Sequence, residues 1–465
     1  LGELSPANNW QPQNTSLTIQ ASSSSSAGLA EKLGYRIPEL GPLTAQANIR
    51  DREKKVSMES AQLRLGEKDN PVLKVTGYIN DLFAMKGVQG DGQLHLDGSR
   101  FAAFADFDKL PELGPLTGQV KISDSDGSLG IDSLQVETTQ PELLSLKVDG
   151  SFDSFKDPST WLLESSLTAR DLQLIGVILD RKWPAIGPVQ LDSEIKKSGK
   201  SKEFNITLTV GETEVESKID ALFDTTPMSI TGNIKARKML FWELLKKESD
   251  GKKKKPSKKE PVFSREPIDF YWLKKVDADV SIEIESFAKE QFLADSAEFQ
   301  VKVKSGVLSI SPARFVYAKG KLEMDLELDV QEHPRLTFKA FGEHIDPRRA
   351  LDIQEFKESL NTEMNIDLSF STSGLTSHEL AANSQGSIYI TMQNGKIAAP
   401  LVDLVFWDVA GWAWKKATNQ TYYNLGCGVA DYTIEEGVIS TKAFILDAEH
   451  ITITGGGTID LGGEK

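Results

Sequence analysis

A chain of 465 residues with 68 acidic and 53 basic side chains carries a formal charge of −15. That balance argues against a nucleic-acid surface, which needs clustered Lys and Arg. A hydrophobic content of 39% with 36 glycines excludes wholesale disorder. One cysteine, Cys427, excludes a disulfide framework and any multi-cysteine metal site. No apolar run is long enough for a membrane-spanning helix. The chain opens at Leu1 without a signal-peptide pattern and ends at Lys465 directly after a strand-like segment. It therefore reads as a piece of a longer protein.

Internal repetition organises the first half. Pro38-Glu39-Leu40-Gly41-Pro42-Leu43 recurs as Pro111-Glu112-Leu113-Gly114-Pro115-Leu116 and as Pro184-Ala185-Ile186-Gly187-Pro188-Val189, a spacing of 73 residues each time. The blocks divide the chain into a truncated repeat (1–37), repeats at 38–110, 111–183 and 184–247, a Lys-rich linker (248–262) and a C-terminal region (263–465). Each repeat reads as four or five alternating strands and one short helix. The helices are expected at Ser99–Phe107, Asp171–Asp180 and, in the last copy, Arg237–Lys247. The Pro/Gly block itself reads as a turn.

The run from Lys246 through Lys259, with Pro256 inside it, reads as a solvated loop or as a tether to an anionic membrane surface. Beyond it, strands dominate. Val276-Ala278-Val280-Ile282-Ile284 alternates cleanly. So does Leu322-Met324-Leu326-Leu328-Val330, with Glu323, Asp325, Glu327 and Asp329 on the other face. Further runs are Phe299-Val301-Val303, Leu336-Phe338-Ala340, Met364-Ile366-Leu368-Phe370, Ile388-Ile390-Met392 and Ile451-Ile453. Helices are expected at Arg348–Lys357, behind Asp346-Pro347, and at Leu401–Lys416. The second crowds Phe406, Trp407, Trp412 and Trp414 into a stretch too short to span a bilayer. It reads as a plug at the groove mouth or as an interfacial helix meeting lipid headgroups.

Strands that are apolar on one face only exclude the doubly covered parallel sheets of α/β proteins. One short helix per 73 residues is too little to cover that face, and the repeats abut without linkers. The predicted fold is therefore all-β: an elongated, curled antiparallel β-sheet forming an apolar groove, with short helices at repeat junctions. About 25 strands at about 4.8 Å spacing would extend roughly 120 Å. An apolar trough of that size calls for an amphipathic guest. One alkyl chain buried at about 0.8 kcal/mol per CH₂ is worth on the order of 10 kcal/mol.

The C-terminal half resembles the AsmA family of bacterial envelope proteins. The resemblance rests on Phe263-Ser264-Arg265-Glu266-Pro267-Ile268 leading to Val276-Asp277-Ala278-Asp279-Val280. Ser384-Gln385-Gly386-Ser387 is similar to the family's turn before a strand, and Asn394-Gly395-Lys396-Ile397 to the hairpin after it. Gly426-Cys427-Gly428-Val429-Ala430-Asp431-Tyr432, Glu436-Gly437-Val438 and Ile453-Thr454-Gly455-Gly456-Gly457-Thr458-Ile459-Asp460-Leu461 follow in order. The resemblance implies a periplasmic protein of a Gram-negative bacterium, held at the inner membrane by an N-terminal helix. It also implies kinship with bridge-like lipid-transfer proteins built of repeating β-grooves, and links to phospholipid movement and outer-membrane protein assembly.

The sequence carries no catalytic signature. The histidines (His95, His333, His344, His378 and His450) lack metal-ligand spacing, and no nucleophile elbow, P-loop or dinucleotide fingerprint occurs. Gly455-Gly456-Gly457 reads as a bend, and Cys427 as a small buried apolar group. The expectation is a non-enzymatic groove without cofactor or metal, carrying phospholipid between the two membranes. Its floor is expected at Val280, Ile282, Ile284, Leu322, Met324, Leu326, Leu328, Ile366, Leu368 and Phe370. Expected partners are phospholipid and membrane surfaces, and no nucleic acid. The alternative is a scaffold for envelope-protein assembly that binds through sheet edges or the outer face.

Overall fold

The computed structural model describes residues 3–4, 12–13, 16–32, 39–52, 55–97, 114–125, 127–140, 143–155, 159–178, 181, 183–239, 262–287, 294–350, 360–398, 422–449 and 451–463. Two compact units divide the chain, Leu1–Lys218 and Ile219–Lys465. Each is a sheet whose strands pair in sequence order, as the alternating pattern predicts.

In the first unit, β1 (Glu3–Leu4) and β2 (Pro12–Gln13) pair with each other in a separate two-stranded sheet among the described residues. The sheet proper runs β3 (Ser16–Ser23), β4 (Leu43–Arg52), β5 (Lys55–Gly66), β6 (Pro71–Asp81), β7 (Lys86–Leu96), β8 (Leu116–Ser123), β9 (Gly130–Gln140), β10 (Leu144–Phe152), β11 (Thr160–Ala169), β12 (Val189–Ser198) and β13 (Ser201–Val210). All these neighbours are antiparallel. The strands β4, β8 and β12 start at Leu43, Leu116 and Val189, the last residue of each Pro/Gly block, so one period holds four strands.

The blocks dock helices onto strand ends. In the helix Leu172–Ile178, Asp171 Oδ1 accepts the Leu174 N–H at 2.9 Å, and the Ile186 carbonyl of the third block accepts the Leu172 N–H at 2.8 Å. In the first copy the helix Ser26–Lys32 is tied by Glu39, whose Oε1 accepts the Ser26 and Gly41 N–H groups at 3.1 and 2.9 Å. The Ser25 hydroxyl bond is the largest influence on Glu39, followed by the Gly41 N–H, and together they hold its carboxyl at about 2 against an ordinary 4.5. A depressed carboxyl pKa stabilises fully above the unfolded value and loses that contribution as pH falls through the folded one. The Glu39–helix tie is therefore expected to persist below pH 4.5 and to release near pH 2. An NMR titration of the Glu39 carboxyl and the Ser26 amide checks this; a midpoint at the ordinary value contradicts it.

The second unit follows β14 (Thr213–Leu222) with β15 (Met228–Lys238), β16 (Val276–Ile284), β17 (Ala294–Lys304), β18 (Val307–Tyr317), β19 (Gly320–Asp329), β20 (Arg335–Ile345), β21 (Leu360–Ser373), β22 (Gln385–Ala398), β23 (Tyr422–Glu435), β24 (Val438–Ala448), β25 (Ile451–Thr454) and β26 (Thr458–Asp460). Short hairpins explain the sequential pairing. Ser305-Gly306, Ala318-Lys319 and Glu436-Gly437 each place two successive residues at positive φ, the turn geometry that matches strand twist. Both β25 and β26 pair with β24, and Gly455-Gly456-Gly457 makes the irregular step between them.

Four sequence expectations change. The pair β15–β16 is parallel, so the sheet is not antiparallel throughout. Parallel neighbours need a long crossover, and residues 239–275 supply it. Arg237 and Lys238 are the end of β15, not the start of a helix; they lie between the last pair with β16, Ala236 with Ile284, and the Met239–Phe287 bridge. Asn394-Gly395 is no hairpin: β22 runs straight through it and pairs with β21 and β23. The missing Gly395 side chain instead makes room for Thr362, beside a bulge between Asn361 and Glu363. Cys427 is exposed, because a bulge between Leu425 and Cys427 shifts the side-chain phase of β23. The helix Ser377–Ala382 has a start signal in the sequence: Thr376 Oγ1 accepts the Glu379 N–H at 3.0 Å, and Glu379 Oε2 accepts the Leu375 N–H at 2.7 Å. That is the Thr-x-x-Glu start signal.

The larger buried apolar side chains gather in seams near the strand ends, while the apolar residues buried at mid-strand are small, such as Ala313 and Ala430. In the first unit one seam groups Leu40, Leu65, Val72, Leu96 and Leu116, and another groups Leu144, Ala169, Leu172, Leu174, Val189 and Val210. In the second unit, Leu273, Val303 and Val330 close one end of the strands. Ala318, Ile345 and Met364, with Ile397, Tyr423 and Ala448, close the other.

Candidate functional site: a half-exposed apolar face

Between the seams of the second unit, the register joins the expected floor residues into rows. Val280 lies opposite Val301, Val301 opposite Ile310, Ile310 opposite Leu326, Leu326 opposite Phe338, and Phe338 opposite Phe370. A neighbouring row takes Met324 to Ala340, Leu368 and Ile388. Ile282 faces Phe299, Leu322 faces Phe315, and Ile366 faces Ile390. Leu328 faces Leu308 and Leu336. Thus β16, β19 and β21 present the ten expected side chains on one face, bridged by β17, β18 and β20.

This face is apolar but not fully buried. Val280, Ile282, Leu322, Met324, Leu326, Leu328, Ile366, Leu368 and Phe370 are all half-buried; of the ten only Ile284, at a strand end, is fully buried. The alternate positions Asp279, Glu283, Glu323, Asp325, Glu327 and Asp367 are exposed on the other face. In a two-layer sandwich the central rows would be the most buried part of the molecule. Here the large central side chains are less buried than those at the strand ends, and full burial at the centre falls on small residues such as Ala313 and Ala430. Phe299 and Phe315 stack at 6.3 Å between centroids, and Phe338 and Phe370 meet at 5.5 Å. These rings pack side by side along the floor.

Several floor residues escaped sequence reasoning. Ile310 and Phe315 sit on β18, where a bulge at 310–313 inserts one residue around Ser311-Pro312 and breaks the period of two. Ile230 and Ile234 of β15 join the face opposite Ala278 and Ile282. Their strand is interrupted at Gly232, which left the pattern blurred.

In the first unit one face carries rows of small side chains. Ala47 lies opposite Ala61, Gly77 opposite Gly90, and Gly92 opposite Val120. At its N-terminal strand, Leu17 and Ile19 face Ile49 and Ala47 and remain 48% and 46% exposed. An apolar face is therefore left open in this unit as well.

A polar hollow of about 970 Å³ lies on the charged face of the second unit, lined by Lys319, His344, Asp346, Arg348, Glu363 and Lys396 among others. Its charges largely satisfy one another. Arg348 Nε and Nη2 grip Asp346 at 2.9 Å each, and His344 Nδ1 meets Glu363 at 2.7 Å. Burial pushes the Asp346 carboxyl up, but Arg348 and Lys319 outweigh it and hold the carboxyl below its usual range. Among the described residues no group of three His, Cys, Asp or Glu could hold a metal ion, and no helix is long and apolar enough to cross a membrane. The interface candidates Phe406, Trp407, Trp412 and Trp414 lie outside the described residues, as do His450 and the lysines of the linker.

No solved structure matches the chain. An AsmA family protein of Escherichia coli (strain K12), YhjG, is 23% identical over 166 residues, which is 35% of this chain and 24% of that protein. The chain thus aligns with about a quarter of that relative's length. The AsmA family model matches residues 191–443. That match starts inside β12, in the third repeat, well upstream of the residues that carried the resemblance. It takes in the open rows from β15 to β23 and covers more than half the length, so the chain belongs to the AsmA family.

Proposed function

We propose that this chain holds and conducts phospholipid on its apolar face, carrying it between the inner and outer membranes in the periplasm of a Gram-negative bacterium. Membership of the AsmA family supports an envelope-associated function. The observation that supports the finer reading is the pattern of burial: rows of Val, Ile, Leu and Phe along one face stay only half-buried, while the large buried side chains gather at the strand ends. Exposed apolar surface on this scale is unfavourable in water and is relieved by an apolar guest. Acyl chains fit, since they need no directional contacts and slide along a uniform floor while the headgroup stays wet. The work is non-enzymatic: binding and guiding, with no bond made or broken. Native mass spectrometry of the gently purified full chain tests this. Co-purifying phospholipid is the expected result; lipid-free protein in stoichiometric complex with an envelope protein overturns it in favour of a scaffold.

A further inference from the structure

In the second unit, residues 262–275 lie along one set of strand ends before entering β16. The run is fastened there at three places. The Ser264 carbonyl accepts the His378 N–H at 3.1 Å and the Ser377 hydroxyl at 2.9 Å. The Ile268 N–H donates to the Leu375 carbonyl at 2.7 Å, just beyond the end of β21. Leu273, in the short 3₁₀ helix Tyr271–Lys275, is 1% exposed and packs with Val303 and Val330 at the ends of β17 and β19.

This fastening leaves the large neighbouring side chains outside. Tyr271 and Trp272 are 70% and 53% exposed, and Val262, Ile268 and Leu375 are exposed along the same strand ends. Lys275 is exposed as well. Lys274 Nζ donates to the Gln331 carbonyl at 3.0 Å and lies 5.4 Å from the Tyr271 ring centroid, partners that leave its charge uncancelled. Charge points to the kind of surface this edge meets. Residues 246–275 hold eleven basic and five acidic side chains in a chain of net charge −15. Those before Val262 lie outside the described residues. An anionic surface thus attracts this stretch while it repels the chain's net charge. Rings with a polar tip settle at the boundary between hydrocarbon and water, and lysines reach the headgroup phosphates. Apolar area and positive charge then add in binding. Ala278, Leu308 and Leu328 of the apolar rows pack against the Leu273 seam, so the patch borders the floor.

We infer that Tyr271, Trp272 and Lys275, held in place by Leu273, dock this edge of the second unit onto an anionic lipid bilayer. The inference goes beyond lipid carriage: it assigns the surface that meets the membrane, whatever the apolar rows hold. The test floats the full chain with phosphatidylcholine vesicles, with or without phosphatidylglycerol. Wild type is expected to bind the phosphatidylglycerol vesicles more tightly and to lose that gain at high salt. Trp272→Ser is expected to weaken binding to both kinds of vesicle about tenfold. Lys275→Gln should weaken binding about five-fold, and only where phosphatidylglycerol is present. Tyr389→Ser removes an exposed tyrosine that lies between Asp367 and Asp431 on the charged face, and should change nothing. All three side chains are exposed, so the variants should melt as wild type does, which calorimetry checks. A wild type that stays unbound overturns the docking assignment, and so does unaltered binding by either Trp272→Ser or Lys275→Gln. Phospholipid still found on the purified chain by native mass spectrometry would leave the carriage reading standing in either case.

Discussion

Leu326→Asp is expected to lower phospholipid retention about a hundredfold at neutral pH while the chain stays folded. Leu326 stands at the middle of the longest apolar row, directly between Ile310 and Phe338. In the lipid-free protein it is only half-buried, so an aspartate there keeps some contact with water. The stability cost is then that of one partly buried leucine, about 2 kcal/mol. A lipid chain lying on the floor removes that water. Burying an unpaired carboxylate costs several kcal/mol, and a hundredfold loss corresponds to about 2.7 kcal/mol of it. The sign of the pH dependence follows. A free aspartate titrates near 3.9, and contact with hydrocarbon raises that value. Retention by Leu326→Asp should therefore recover in part as pH falls through about 4 to 5, whereas Leu326→Asn should show no such recovery. Ser281→Asp adds the same charge on the opposite face, between Asp279 and Glu283, and should leave retention unchanged. Scintillation counting of bound radiolabelled phospholipid across this pH range reads all three variants. Equal retention by Leu326→Asp and wild type at neutral pH removes the floor from the lipid path.

The fold class was legible because alternation is a direct readout of a sheet with one wet face. In β19 the sequence Leu322-Glu323-Met324-Asp325-Leu326-Glu327-Leu328 fixes strand, phase and face at once. The ten expected floor residues share a face for that reason. Pairing in sequence order was also readable, since short turns leave antiparallel neighbours no alternative. Legibility failed where an extra residue shifts the phase, as at Ser311-Pro312 in β18 and before Cys427 in β23. It failed again where the backbone itself fills the face. Gly77 lies opposite Gly90, and a Cβ on Gly77 would come within 2.3 Å of the Gln89 carbonyl oxygen. No side chain fits there, so the hydrophobic signal is missing although the position belongs to the face. The parallel pairing of β15 with β16 was unreadable for a different reason. Alternation reports faces, not direction, and the long connection between these strands left either direction open. The half-burial of the central rows was inferable only as an argument from scarcity: too few helices to cover too many strands.

Gly386→Ala is expected to be the most destabilising single-methyl change on the floor of the second unit. Gly386 opens β22 opposite Phe370 on β21 and Ile434 on β23. A Cβ there would lie 2.0 Å from the Ser369 carbonyl oxygen and 2.7 Å from the Phe370 Cα. Both are backbone atoms, so no rotamer change relieves the clash; β21 and β22 must separate. Overpacking against fixed neighbours costs about 3 kcal/mol, and in a unit of this size each kcal/mol lowers the melting temperature by roughly 2–4 °C. The loss should localise. Amide exchange should accelerate around Ser369, Phe370 and Ser387 and leave the seam at Ala318 and Ile345, the far end of the strands, protected. Phe370 also moves, and with it the ring pair with Phe338, so lipid retention should fall alongside stability. Gly457→Ala supplies the contrast, because a Cβ there meets nothing within 4 Å. It should change stability by less than about 0.5 kcal/mol. If calorimetry finds the two variants equally stable, the close approach of β21 and β22 is not a constraint of the native sheet. The aromatic row that this approach aligns would then lose its structural basis.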